Sequence, residues 1–141
     1  MNRTLAIIKP DAVEARATGR ILAHVEEEGF RIAALRSLRL SVEQARAFYA
    51  VHRERPFYDS LVSFMTSGPA VAVVLEGERA VPRLREVVGA TDPAEADEGT
   101  VRALYAESKE RNAIHASDSD ENAASEIAFF FSRSDLLGLE G

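Results

Sequence analysis

Asn112-Ala113-Ile114-His115-Ala116-Ser117-Asp118-Ser119 is the stretch on which the reading of this chain turns. His115 follows an apolar residue and precedes small and hydroxyl residues, so backbone and ligand can come close to its ring. Glu126 lies further on, across an expected helix, and could hold one ring nitrogen. A neutral imidazole oriented by a carboxylate is a competent nucleophile near neutral pH. From these eight residues alone, a surface loop with an incidental histidine and a helix cap reads equally well, because short motifs recur by chance.

Working outward, Asp118 to Ser125 reads as a helix and Ile127 to Phe131 as the last strand of a sheet. On the N-terminal side, Gly89 to Gly99 is a loop rich in Asp, Pro and Ala, and Val101 to Tyr105 is one helical turn. Ala80 to Val88 is a helix with Val81, Leu84, Val87 and Val88 inward. Ala70 to Leu75 is apolar throughout and reads as a buried strand, reached by a turn at Ser67-Gly68-Pro69. Ser41 caps a helix, with Gln44 at the capping-box position. Pro56 ends that helix, and Tyr58 to Met65 forms another. Phe30 to Leu40 and Thr4 to Lys9 are the remaining strands, with a helix from Gly19 to the cap at Gly29 between them. This alternation supports an α/β or α+β class. No internal repeat or linker is visible, so residues 1–141 read as a single domain.

Composition narrows the function. A length of 141 residues with 46% hydrophobic content is enough for a real core. There is no cysteine, which excludes disulfides and thiolate metal sites. A net charge of −6 disfavours general nucleic-acid binding, although a few local cations suffice for a phosphate ligand. No apolar run approaches the roughly 18 residues that cross a bilayer. The N-terminus lacks a signal-peptide pattern, so a cytoplasmic protein without membrane or nucleic-acid partners is the expectation. Lysine occurs only as Lys9 and Lys109, against fifteen arginines, which singles out Lys9 at its strand end beside Pro10.

The octapeptide resembles the active-site signature N-x-x-H-[GA]-S-D-[SA] of nucleoside diphosphate kinases. Lys9-Pro10-Asp11-Ala12-Val13 resembles that family's opening motif. Tyr49-Ala50-Val51-His52, followed by Arg55-Pro56-Phe57-Tyr58, resembles its nucleotide-contacting helix. Ser67-Gly68-Pro69, Gly89 to Ala94 and Gly99 to Arg102 also match in order, so the resemblance runs from Arg3 to about Ser132. It implies a ferredoxin-like α+β fold, with a four-stranded, mostly antiparallel sheet and helices on one face. It implies His115 as the phosphate-carrying nucleophile in a ping-pong transfer between nucleoside tri- and diphosphates. Glu126 and Ser117 support the ring, and Tyr49 backs it. Lys9, His52, Arg85, Thr91 and Arg102 contact phosphates or ribose, and Asn112 contacts the ribose 3′-hydroxyl and phosphoryl region. Phe57 and Leu61 form the base slot. Mg²⁺ arrives on the nucleotide phosphates, with Asp118 near it through water. No Walker or G-x-G-x-x-G pattern occurs, which argues against P-loop and protein-kinase mechanisms.

Three positions depart from the family pattern: Ala116 for the commoner glycine, Glu98 for a proline, and Leu104 for a polar residue. The last two lie in a loop that mediates subunit contacts in the family. With Glu98 there and the chain stopping soon after its expected last strand, the expectation is a homo-oligomer built from dimers, tetramer favoured over hexamer. A non-catalytic nucleotide-binding module and an interaction domain are the alternatives. Both are disfavoured because His115, Lys9 and Glu126 all stand in place.

Overall fold

The central strand of the fold is the one whose residues leave it no other place. Ala70–Glu76 (β3) is buried at each of its first six positions, and a run apolar on both faces must have cover on both. In the computed structural model, which describes residues 2–137, β3 lies between Arg31–Leu38 (β2) and Arg3–Ile8 (β1). The sheet order is β2-β3-β1-β4, where β4 is Ile114–Ala116, and all pairings are antiparallel. This is the expected ferredoxin-like arrangement of four strands.

The helices cover both faces of the sheet, which corrects the one-face expectation. The strand period of two divides β1. Ala6 and Ile8 join Pro10–Glu14 (α1), Thr18–Glu27 (α2), Ala80–Val88 (α5) and Val101–Tyr105 (α6) in one core. Leu5 and Ile7 join Val42–Phe48 (α3), Tyr58–Met65 (α4) and Asp120–Phe130 (α7) in the other. A one-residue slip of β1 would exchange the two sets, and each buried aliphatic side chain contributes roughly 1.5–3 kcal/mol.

Local signals act as their chemistry dictates. Ser41 and Gln44 form the reciprocal capping box at the start of α3. Gly89 ends α5 at φ 92°, and a Cβ there would lie 2.5 Å from Thr100 Oγ1. A short final helix, Arg133–Leu137 (α8), follows α7, and residues 138–141 lie outside the described residues. Among the described residues, no helix is long and apolar enough to cross a membrane.

The last strand is not where periodicity alone puts it. Ile127 to Phe130 continue α7, and Phe131 follows as its C-cap. The apolar run that suggests a strand is the inward stripe of that helix, because Ala123, Ile127 and Phe130 are buried at helical spacing. The fourth strand is the three-residue β4, which contains His115.

Candidate active site

His115 sits at the centre of β4, paired with Ile7 of β1, so a strand and not a loop carries it. Alternation turns its neighbours Ile114 and Ala116 inward and its own ring out to a cleft of about 770 Å³. On the other side of the ring, Glu126 stands on the face of α7. Its Oε1 lies 2.7 Å from His115 Nε2. An ionised carboxylate only accepts hydrogen bonds, so Nε2 carries the hydrogen and Nδ1 holds the lone pair. Ser117 Oγ donates to the same Oε1 at 2.7 Å. Ser117 is fully buried, so it fixes the carboxylate from behind. Ring tautomer and ring orientation are thereby set together.

Cations face the ring from the rest of the cleft. Lys9, the residue between β1 and α1, is buried, and its Nζ donates to Asn112 Oδ1 at 2.8 Å. Burial, then the charge of Arg102, lowers its pKa to about 8. Arg102 of α6 donates to the carbonyls of Gly89 at 3.0 Å and Ile114 at 2.8 Å. Its Nε has no hydrogen-bond partner. Burial, then the charge of Arg85, brings its pKa down to about 10. Arg85 of α5 reaches the Ala116 carbonyl at 3.3 Å. Two dehydrated cations, Lys9 and Arg102, with the exposed Arg85 beside them, make this space costly until an anion arrives.

The mouth of the cleft is apolar. Phe57 is half exposed just before α4 and meets the His52 ring at 5.4 Å between centroids, with Leu61 beyond it on α4. Thr91 lines the cleft and offers its carbonyl to Asn112 Nδ2 at 3.3 Å. Asp118 also lines it, its Oδ1 accepting from Asn122 Nδ2 at 2.6 Å. Tyr49 is buried behind the histidine with its hydroxyl unpartnered, and burial and Glu126 push its pKa up. Every residue expected at the site lines this cleft except Ser117, which lies behind Glu126.

Two participants escaped the sequence reading. Phe48 packs edge-on against the His115 ring at 5.4 Å, nearer than Tyr49 at 6.4 Å. In the chain it is one more apolar position at the end of α3. Asp11, in the first turn of α1, accepts from the Ala113 backbone amide at 3.1 Å. Burial raises its carboxyl pKa against that hydrogen bond. No spacing rule links residues so far apart in the chain. Glu98 and Leu104 are exposed, away from the ring, and Ala116 takes no positive φ.

The family model described as nucleoside diphosphate kinase matches residues 2–136. A nucleoside diphosphate kinase of Granulibacter bethesdensis is 60% identical over 97% of this chain and 98% of its own. That of Persephonella marina is 55% identical with the same coverage. A crystal form of the Aquifex aeolicus nucleoside diphosphate kinase superposes with a TM-score of 0.94 at 52% identity, covering 96% of this chain and 99% of that one. A halophilic nucleoside diphosphate kinase from Halobacterium salinarum, solved in complex with CDP, gives 0.92 at 38% identity over 97% and 92%.

Proposed function

Since the chain belongs to the nucleoside diphosphate kinase family, and so moves a terminal phosphate from a nucleoside triphosphate to a nucleoside diphosphate, we propose that His115 carries the phosphate between the two. The observation that supports this reading is the 2.7 Å contact of Nε2 with Glu126, which leaves Nδ1 toward the cationic cleft. The Nδ1 lone pair attacks the γ-phosphorus. The bond from that phosphorus to the β-bridging oxygen breaks, and the diphosphate leaves with those electrons. Nε2–H stays on the ring and donates to Glu126, which balances the ring's new positive charge. An acceptor diphosphate then attacks the phosphohistidine by the reverse path. No proton crosses the site in either half.

Lys9, Arg85 and Arg102 hold the phosphate oxygens, and their charge grows in effect as the cleft dehydrates. His52 adds a phosphate contact at the mouth. Phe57 stacks on the base with Leu61 beneath, while Thr91 and Asn112 meet phosphate and ribose. Tyr49 and Phe48 wall the ring. One cleft serves donor and acceptor, and the relative solved with CDP supports a diphosphate occupant.

Among the described residues, no three His, Asp or Glu side chains come together as a metal cage. Asp118 is a single hard oxygen donor on the cleft wall. That fits Mg²⁺ held mainly by nucleotide phosphates, with Asp118 reached through water. The ion would supply charge neutralisation at the phosphates. We read residues 1–141 as one domain working in the cytoplasm. A dimer assembling into a tetramer is the expected state, supported by the exposed Leu35 on edge strand β2 and Val42 at the start of α3.

The test is incubation with γ-labelled ATP followed by acid and alkali. The label on the parent chain should be acid-labile and alkali-stable. His115→Ala should abolish labelling and exchange with its circular dichroism intact. Near-parental turnover in that variant would refute the assignment.

A further inference from the structure

Ala113 stands two residues before His115 with φ 73° and no exposure. The Ile114 amide donates to the Asn112 carbonyl at 2.9 Å, which closes a three-residue γ-turn around it. Such a turn with positive φ is rare and strained for a residue bearing a Cβ. Here the methyl is packed into the core shared by α1, α2 and α5. The turn therefore needs an outside hold, and it has two. The Lys9 amide donates to the Ala113 carbonyl at 2.8 Å. Asp11 Oδ2 accepts from the Ala113 amide at 3.1 Å. The strand that follows has three residues and three pairs with β1, few bonds with which to hold the turn alone. On the other side of the turn, Asn112 receives the Lys9 ammonium.

Asp11 does not line the cleft, and phosphate transfer as described above gives it no part. We infer that Asp11 is a positioning residue: its carboxylate clamps the strained turn at Ala113 and so sets where Asn112 and the His115 ring stand for in-line attack. The inference rests on His115 as the phosphate carrier. Asp11 is itself buried, with Oδ1 unpartnered, and a buried carboxylate that contributes only packing would be easily replaced by an apolar side chain.

Rapid-quench labelling of the full chain separates clamp from general stability, because it reads two quantities. The stoichiometry of phosphohistidine counts folded sites, and the rate constant reports their geometry. Asp11→Ala should label to full stoichiometry at a rate lowered about tenfold or more, as expected for a misplaced reacting group. Asp11→Asn keeps an acceptor oxygen on the same skeleton and should stay within about threefold of the parent. Ala113→Gly, which makes positive φ free of strain, should rescue Asp11→Ala to within about threefold of Ala113→Gly alone. Should Asp11→Ala not fold, the same reasoning demands that Ala113→Gly restore both fold and rate. An Asp11→Ala rate equal to the parent's, an Asp11→Asn rate as low as Asp11→Ala, or a double variant that is unrescued or unfolded overturns the clamp. A parent chain that takes no label overturns the nucleophile assignment and the clamp with it. A labelled parent with any of the other failures overturns the clamp alone.

Discussion

Replacing Lys9 by methionine should make the fold more stable and the enzyme nearly inactive. The ammonium is buried, and Asn112 Oδ1 is the acceptor for its side chain. Burial and the Arg102 charge bring its pKa from 10.5 to about 8. At roughly 1.4 kcal/mol per pH unit, keeping Lys9 charged at neutral pH costs the fold roughly 3 kcal/mol. Methionine removes that cost but leaves Asn112 Oδ1 without its donor, a loss of about 1–3 kcal/mol. The net gain at pH 7 is about 1 kcal/mol. The pH dependence isolates the cause. The folded pKa lies below the unfolded value, so between about pH 8 and 10.5 the unfolded chain holds a proton that the folded chain has released. Stability of the parent therefore rises across that window relative to a chain without the amine. The advantage of Lys9→Met should hold up to about pH 8, shrink above it and reverse near about pH 9. Urea unfolding of both chains at one protomer concentration measures it. Turnover should fall about a hundredfold or more, the scale of losing one preorganised charge at a reacting group. A variant less stable than the parent at pH 7, by a margin that does not change with pH, would refute the reasoning.

Glu126→Gln keeps the size of the side chain but removes the charge facing His115 Nε2, and the rate of phosphohistidine formation should fall roughly 10–100-fold; an unchanged rate speaks against Glu126 as the orienting group. Phe57→Ala should raise KM for ATP, GTP, CTP and UTP alike, because stacking is worth about 1–3 kcal/mol per base and every base has a face; a loss confined to one base would reveal edge recognition instead. Light scattering on the gel-filtration peak at low and high salt should give a four-subunit mass. A one-subunit mass at micromolar concentration would sink the dimer, and a six-subunit mass would show that Glu98 does not oppose three-fold contacts.

Much of the architecture was readable because single rules governed it. Ala70 to Leu75 had to be covered on both sides, and Ser41 with Gln44 had to start a helix. The octapeptide and Lys9 were legible as chemistry, because lysine is scarce here and the histidine has a carboxylate within reach. The misreading of Ile127 to Phe131 has a definite cause. A short apolar run fits a buried strand and a helical stripe equally, and only Ala123 one turn earlier tips the balance. The true fourth strand, Ile114–Ala116, has only three residues, too few for alternation to announce it. Both faces of the sheet are covered because β1 is apolar at successive positions, a signal present in the chain but outweighed by the resemblance. Asp11 and Phe48 act through contacts across the fold, and linear spacing does not encode those.

The sheet has two edges of different character. Edge strand β4 has three residues, too short a run of free backbone groups to recruit another strand, while β2 spans eight residues and carries an exposed leucine. Three strand spacings, about 14 Å, separate them. A chain that docks along β2 therefore sits on the far margin from His115, and its link to the site runs through Arg36 of β2, which donates to the Phe130 carbonyl of α7, the helix that carries Glu126, at 3.1 Å. Assembly along β2, as proposed above, would place subunit contacts and the phosphate chemistry on opposite margins of the same sheet.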